Sequence, residues 1–381
     1  MGASKLTMMQ RLIFKVWGAL LLMLLSTPST FASAADTAPA PRFSITELGV
    51  NFQPKAINNS GQIVGTGPLR WQDGKLSDLG GIEGSICVAR SINGNGNAVG
   101  DCAARGQDRH AILWSNGQTI DLGSLNSSWA FVTGINDGGE IVGNIWSEKY
   151  EEPRAFECTK DGLATRRLLG QPIEAAVAIN NRGDVAGKYG AVANETKEGN
   201  RDAVLWNEGK TTDLGDFAPT ALNDKREVVG NRNFAPFFPG GSMEGSYGMA
   251  VAAHAVIWID GKVTPLATPG FEYSYAAGIN GVGDVVGCGF LKDLSPSAVM
   301  WCGGRCYDLN TCIDTSTGWH IYDATAINDA GQIVGTASHG KEEVVGVLLS
   351  PSGPPNAVEQ SPGPTDRRSS GLPARRRPLR P

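Results

Sequence analysis

The sequence has 381 residues, including 50 glycines, and its formal net charge at pH 7 is −5. Residues 1–34 carry +3 and residues 351–381 carry +4, so residues 35–350 carry about −12. Such an acidic body is a poor partner for nucleic acid, because duplex binding needs a positively charged face. We therefore expect no nucleic-acid partner.

The first segment of the chain has the pattern of a secretory signal peptide. Three basic residues precede an apolar run over 16–25, and small residues follow as far as Ala34. This order of charged, apolar and small residues is typical of export signals, and the run is too short for a stable spanning helix. We predict cleavage near Ala34, a secreted or periplasmic protein and no membrane span.

After a linker over 35–43 and a strand-like run over 44–50, one ten-residue pattern occurs seven times. It reads AINNSGQIVG at 56–65 and AINDAGQIVG at 326–335. Asn and Gly tolerate positive φ, so this pattern predicts a β-hairpin turn between two short strands. The asparagines of the seven copies are Asn58, Asn93, Asn136, Asn180, Asn223, Asn280 and Asn328.

A second hairpin pattern follows each of the first six copies, with a strand that usually ends in Trp, a tight turn and a strand that usually ends in Asp-Leu-Gly. It is clearest in AILWSNGQTIDLG at 111–123 and AVLWNEGKTTDLG at 203–215. Each repeat therefore supplies four short strands, which is the pattern of a propeller blade. The recurring Trp is expected to pack in the core.

The two ends of the repeat region determine the expected number of blades. The run over 344–351 gives the seventh repeat a third strand and then stops, whereas 44–50 is a fourth-type strand without a repeat of its own. We predict an all-β fold over 44–350, a seven-bladed β-propeller of four-stranded blades closed by the strand 44–50. A β-solenoid or stacked sheets are the alternative.

The Pro- and Arg-rich residues 351–381 predict a disordered tail. We expect the protein to be a monomer.

The two hairpin patterns together resemble those of the extracellular HAF-repeat proteins, which take their name from a His-Ala-Phe tripeptide at the start of the Trp strand. The tripeptide occurs here as HAI at 110–112, HAV at 254–256, RAF at 154–156, DAV at 202–204 and SAV at 297–299. The resemblance covers nearly all of 44–350. It implies an exported bacterial protein with propeller-like repeats and assigns no catalytic residue.

All seven cysteines follow the predicted signal peptide, so disulfides are expected. Cys87 and Cys102 flank the turn of one hairpin and fall nearly opposite each other, which predicts a cross-strand bridge. Seven is an odd number, and Cys158 is the expected unpaired thiol.

The remaining four cysteines allow two pairings. A three-residue turn in WCGGRC would place Cys302 opposite Cys306. A two-residue turn would put them on opposite faces, and Cys288 with Cys312 would then be favoured. A zinc site formed by these four cysteines is the alternative to a disulfide.

Catalytic and metal-binding motifs are sparse. GNGNAVG at 94–100 lacks the spacing and the strand-helix context of a dinucleotide loop. His110 and His254 occupy equivalent repeat positions, which favours packing over catalysis. The turn around Asn136 and Asp137 offers too few oxygens for an isolated calcium site, although calcium remains the alternative. We expect no metal and no cofactor.

The connections opposite the constant turns vary in length, and they are where binding is expected. The segment from Gly65 to Trp71 advances 6 residues, whereas that from Gly230 to Trp258 advances 28. These connections are rich in aromatic residues, which can stack on sugar rings or hold a peptide. The candidate ligand-binding residues are Trp129, Phe131, Trp146, Tyr150, Phe234, Phe237, Phe238, Tyr273, Tyr275, Trp319, His320 and Tyr322.

These features predict an exported binding or scaffold protein that recognises a glycan or an envelope protein through its aromatic loop face. One alternative is a hydrolase or lyase with an acidic central channel. The other is a protein whose role is structural assembly.

Overall fold

The computed structural model describes residues 39–103, 108–125, 127–146, 153–170, 173–189, 202–232, 235–236, 250–251, 253–340 and 343–352. Nearly all of them lie in one compact unit, Pro41–Pro381. The regular elements in these ranges are β-strands and three short 3-10 helices, Gly162–Ala164, Leu309–Thr311 and Thr315–Thr317. No helix in the described part of the chain is long and apolar enough to cross a membrane. The predicted signal peptide and almost all of the predicted tail lie outside the described residues.

The first strand, β1 (Phe43–Gly49), precedes the repeats. The strands after it follow one another in groups, and each group forms a four-stranded sheet, with β1 as the fourth strand of the last sheet. Sheet 1 contains β2 (Pro54–Ile57), β3 (Ile63–Gly65), β4 (Leu69–Gln72) and β5 (Lys75–Asp78). Sheet 2 contains β6 (Ile86–Ile92), β7 (Ala98–Ala103), β8 (Arg109–Ser115) and β9 (Gln118–Gly123). Sheet 3 contains β10 (Trp129–Ile135), β11 (Ile141–Trp146), β12 (Arg154–Cys158) and β13 (Arg167–Leu168).

The second half of the chain continues the same order. Sheet 4 contains β14 (Ile173–Ile179), β15 (Val185–Tyr189), β16 (Asp202–Asn207) and β17 (Lys210–Asp216). Sheet 5 contains β18 (Ala218–Leu222) and β19 (Val228–Arg232). The small pair β20 (Ala235–Pro236) and β21 (Ala250–Val251) follows, and then β22 (His254–Ile259) and β23 (Lys262–Pro265) complete sheet 5. Sheet 6 contains β24 (Tyr273–Ile279), β25 (Val285–Phe290), β26 (Pro296–Cys302) and β27 (Arg305–Asp308).

Sheet 7 combines the two ends of the described chain. It contains β28 (Trp319–Ile327), β29 (Ile333–His339), β30 (Val345–Pro351) and, at its edge, β1. The pairing of β1 with β30 is antiparallel and sets Ile45 opposite Leu349. Within every sheet the neighbouring strands are antiparallel, and one parallel bridge between Trp129 and Arg109 links sheet 3 to sheet 2. The chain is therefore all-β, and its first strand pairs with its last, as the sequence predicts.

The asparagine of each repeat, which we call the motif asparagine, sits buried in the turn after the first strand of its sheet. Its side-chain oxygen accepts backbone N–H groups of its own turn, as Asn58 does from Ser60 and Gln62 at 3.1 and 2.9 Å. Its Nδ2 donates to the backbone carbonyl of the next motif asparagine at 2.9–3.1 Å in all seven cases. This series of hydrogen bonds ends with Asn328 donating to Asn58.

The first strand of every sheet also carries a β-bulge, three residues before the motif asparagine. The glycine that ends each ten-residue motif lies against this irregular stretch. A Cβ on it would lie 1.8–2.5 Å from a carbonyl oxygen of the first strand or, for Gly65, of Gln53 just before it, so a side chain does not fit there. The bulge residues are Lys55, Arg90, Thr133, Val177, Thr220, Ala277 and Thr325.

Apolar side chains of consecutive sheets pack against each other, and the recurring Trp belongs to these contacts. Trp114 of sheet 2 is buried and its Nε1 donates to the carbonyl of Gly80, which follows sheet 1, at 2.7 Å. Trp301 of sheet 6 makes the same bond to Ala267 at 3.0 Å. The predicted core role of the Trp is confirmed at these positions, and it includes a hydrogen bond that satisfies the indole N–H.

One disulfide is present among the described residues, and it is the predicted one. Cys87 and Cys102 pair directly in the register of β6 and β7, and their Cα atoms are 4.0 Å apart. Cys158 is a buried free thiol, and burial raises its pKa to about 12. A thiol with so high a pKa remains protonated at neutral pH and is a poor nucleophile.

The four cysteines of 288–312 are free thiols in this structure, so the expected second disulfide is not formed. The turn in WCGGRC has two residues, Gly303 and Gly304, both with positive φ, and sets Cys302 opposite Arg305. Cys302 and Cys306 consequently pack against different apolar clusters. No group of three or more metal-binding side chains occurs among the described residues.

Replacement of a motif asparagine should destabilise the protein strongly. Asn280→Ala removes the acceptor of the Gly283 and Asp284 N–H groups and the donor to the Asn328 carbonyl. Because all of these groups are at least partly buried, we expect a loss of about 2–4 kcal/mol in the free energy of unfolding, measured by urea denaturation. Val282→Ala, at an exposed side chain of the same turn, should change it by less than about 0.5 kcal/mol. Equal effects of the two substitutions would contradict the role given to the asparagine.

Replacement of the glycine that ends each motif should destabilise the protein as strongly as replacement of a motif asparagine. Gly143→Ala places a Cβ 2.0 Å from the carbonyl oxygen of Phe131, and we expect a loss of at least about 3 kcal/mol in unfolding free energy. Gly138→Ala in the same repeat is the control, since its Cβ meets its nearest atom, Oδ1 of Asn136, at 3.3 Å. Thermal unfolding followed by circular dichroism would compare the two, and a stable Gly143→Ala protein would refute the argument.

Candidate ligand-binding site

Three of the predicted aromatic residues lie at the opposite end of the first strands from the motif asparagines. Trp129 begins β10, Tyr273 begins β24 and Trp319 begins β28, whereas the asparagine turn follows the last residue of each strand. The structure therefore separates a constant-turn end from an aromatic end.

Three of the predicted residues come together in sheet 3. Trp129 and Trp146 are cross-strand partners on β10 and β11, with ring centroids 5.8 Å apart and planes inclined at 48°. Phe131 meets the Trp129 ring edge-on at 6.4 Å. The two Trp side chains are 50% and 36% exposed, which is unusual for residues of this size. Together with Arg109, these rings form what we call the aromatic platform.

Arg109 joins the platform from sheet 2, and no sequence motif indicates its role. Its guanidinium lies 4.7 Å from the centre of the Phe131 ring, and it donates to Oδ2 of Asp101 at 3.0 Å. Arg90 also forms an ion pair with Asp101, which is buried. A buried carboxylate is stable only when it is paired, so Asp101 holds both arginines in place.

The other described candidates form separate contacts. Each of three candidates has its ring next to a second aromatic ring, and the distances that follow join ring centroids. They are 6.1 Å for Tyr273 and His254, 5.2 Å for Trp319 and His339, and 4.8 Å for His320 and Tyr322. The Tyr322 hydroxyl hydrogen-bonds Ser338 at 2.7 Å, and His320 contacts the Pro296 carbonyl at 3.2 Å. Tyr275 is half-buried, and desolvation raises the pKa of its phenol. Tyr150, Phe234, Phe237 and Phe238 lie outside the described residues.

His110 has a polar contact that the repeat pattern did not indicate. Its Nδ1 lies 2.9 Å from Oδ2 of Asp121, across the β8–β9 pair. Asp121 also accepts the backbone N–H of Gly123 at 2.7 Å, as expected for a turn-forming Asp. The pair lies on the two outer strands of sheet 2.

The constant-turn end contains an open depression of about 210 Å³, lined by the motif asparagines and by the residues immediately before and after them. Hydrogen bonds between consecutive turns occupy its polar groups. The backbone N–H groups of Gly94, Asp137 and Asn181 donate at 2.6–2.8 Å to the side chain one repeat further on. The turns thus serve chiefly to connect the repeats, as their constancy suggests.

Two further charged residues, Arg90, which pairs with Asp101, and Lys55 of sheet 1, could have been found by aligning the seven motifs. Arg90 and Lys55 stand three residues before a motif asparagine, where the other five repeats have Thr, Val or Ala. When the seven repeats are aligned, a charged residue at a position that is otherwise uncharged indicates a local function. No known sequence motif contains this feature.

Comparison with known proteins identifies no family model and no curated protein that matches this chain. Solved structures give weak likenesses. They include YCF48 bound to D1 peptide (TM-score 0.48, 11% identity, 83% of this chain and 99% of that one). The β-propeller domain of the Trilobed protease from Pyrococcus furiosus gives a TM-score of 0.46 at 13% identity over 71% and 85% of the two chains. Acylaminoacyl peptidase from Pyrococcus horikoshii gives 0.47 at 12% identity, and the match covers 71% of this chain but 46% of the peptidase.

Proposed function

We propose that the seven repeats are the blades of one seven-bladed β-propeller, closed by the addition of β1 to the last sheet. The series of motif-asparagine hydrogen bonds that returns from Asn328 to Asn58 supports this arrangement. So does the packing of Leu48 of β1 and Leu348 of β30 in one apolar cluster with Trp71 of sheet 1. A propeller joins its blades by side-chain packing between separate sheets, which agrees with the open four-stranded sheets.

The closure can be tested at Leu48, which is 3% exposed. Leu48→Ala should lower the unfolding free energy by about 2–5 kcal/mol, because it leaves a cavity between the first and last blades. Val50→Ala, at a side chain that is 67% exposed just after β1, should have almost no effect. Urea denaturation of both proteins provides the measurement. Closure by β1 would be refuted if Leu48→Ala were as stable as the parent protein.

We infer that the protein is an exported glycan-binding module of the HAF-repeat type and that the aromatic platform is its site. The exposed pair of Trp129 and Trp146 carries this proposal. The apolar C–H face of a sugar ring packs well on an indole, and two inclined indoles offer such a surface to adjacent sugars.

The rest of the platform suits this role. Cross-strand pairing fixes the two Trp residues on one sheet, so ligand binding orders few additional side chains. Arg109 is held by Asp101 and Phe131 and keeps a positive charge beside the rings at a fixed position. A scaffold for an envelope protein would use the same residues, and it is the second partner to test.

Binding should depend on the platform and not on the other aromatic groups. We expect Trp129→Ala and Trp146→Ala each to weaken glycan binding about 10-fold, equivalent to about 1.4 kcal/mol of lost stacking. Trp319→Ala, at a half-buried Trp in sheet 7, is the matched control and should bind like the parent protein. A glycan array on the protein from residue 35 onwards selects the ligand, and titration calorimetry measures the three affinities.

The same experiment distinguishes the alternatives. Glycan binding that survives both platform substitutions would refute the assignment of the site. Cleavage of the bound glycan, detected by mass spectrometry of the mixture, would instead support a hydrolase or lyase. Capture of an envelope protein in a platform-dependent manner, without any glycan signal, would replace the glycan by a protein partner.

A further inference from the structure

The bulge residues of the first strands lie where consecutive sheets meet. Thr220 shows their position, since its Oγ1 contacts the carbonyl of Val229 in its own sheet at 3.3 Å and that of Ala276 in the next sheet at 2.8 Å. Thr133 makes the equivalent contacts to Val142 and Ala176. In the propeller proposed above, the first strands surround the central channel, so these positions line its wall.

Two neighbouring bulge residues are cationic, although the body of the protein is acidic. Lys55 belongs to sheet 1 and Arg90 to sheet 2, at the same bulge position of two first strands that contact each other, and the Arg90 charge lowers the pKa of Lys55. The carboxylates nearby have other partners. Asp101 is shared by Arg90 and Arg109, and Asp323 of sheet 7 accepts hydrogen bonds from the backbone and hydroxyl of Thr336 at 2.8 and 2.9 Å.

The Lys55 ammonium lacks a direct counterion. Within the described part of the chain, no carboxylate lies within salt-bridge distance of it and no group accepts a hydrogen bond from it. The pKa of Lys55 is lowered, mainly because surrounding protein atoms remove part of its hydration and also because of the positive charge of Arg90. The negative charge of Asp323 raises this pKa in part. The Lys55 residue is nevertheless exposed to solvent, so a solute can reach it.

We propose that Lys55 and Arg90 form an oxyanion-binding site, which takes a sulfate, phosphate or carboxylate group between two adjacent first strands. An oxyanion supplies the acceptor that the ammonium lacks and reduces the repulsion between the two cations. The group has two sources, a free inorganic ion or the carboxylate of an acidic sugar. Arg90 shares Asp101 with Arg109 of the aromatic platform, which connects this site physically to the platform.

This site goes beyond the glycan-binding function and is tested separately from it. The probes are sodium sulfate and trigalacturonic acid, titrated at constant ionic strength into protein with isotope-labelled lysine side chains and followed by NMR. In the parent protein we expect the Lys55 signal to shift with a saturable dependence on at least one probe. In Lys55→Met, calorimetric affinity for that probe should fall at least 10-fold. Lys55→Arg should retain it, since the positive charge is kept.

Lys75→Met provides the control, because Lys75 is an exposed lysine of sheet 1 whose loss changes the net charge equally. It should leave the affinity unchanged. Binding of sulfate alone identifies a free ion as the ligand, and binding of trigalacturonate alone identifies an acidic sugar; both support the site. The proposal is overturned if neither probe shifts Lys55, or if Lys75→Met weakens binding as much as Lys55→Met. Neutral glycans that bind the platform should bind Lys55→Met normally, so failure of one proposal leaves the other standing.

Discussion

The hydrogen bond from each motif asparagine to the next determines most of what the repeats share. One buried amide must accept two N–H groups of its own turn and donate to the following repeat, and Asp, Ser or Gln cannot do all of this with the same geometry. The requirement fixes the turn, the turn fixes where the first strand ends, and the strand end fixes the level at which neighbouring sheets meet. Sequence constancy in the ten-residue motif is thus a consequence of contact between repeats rather than of a repeated active site.

The bulge and the terminal glycine form the second constraint, and they explain where variation is permitted. The bulge brings a carbonyl so close to the facing strand that a side chain is excluded there, which accounts for a glycine in every copy. The bulge position itself accepts several residue types. Thr, Val, Ala, Lys and Arg all occur there. The residue type at this position can therefore change without disturbing the strand pairing. Lys55 and Arg90 occupy this position.

Periodic features were predictable from the sequence because each has a local cause. The all-β character, the pairing of the first strand with the last and the Cys87–Cys102 bridge follow from turn residues, strand lengths and spacing. Most side-chain contacts between strands were not predictable. The ion pairs of Asp101 join strands without any sequence signature, and the aromatic residues divided into separate groups according to the facing strand. For Cys302 and Cys306, a two-residue turn decided the outcome, and the sequence allowed three residues as well.

The position of β1 also bears on how the chain acquires its structure. Its partner β30 follows the other sheets in the sequence, so β1 has no strand partner until the residues of those sheets have been synthesised. Joining strands about 300 residues apart carries a loop-closure entropy of about 5 kcal/mol unless the intervening sheets have formed first. The six sheets in between can form from local hairpins, which shortens the effective loop and brings the ends together. The backbone bond from Ser352 to Arg42 at 2.8 Å then joins the two ends of the domain side by side. Assembly of this fold accordingly proceeds toward its ends, and the strand that emerges first is the one that completes it.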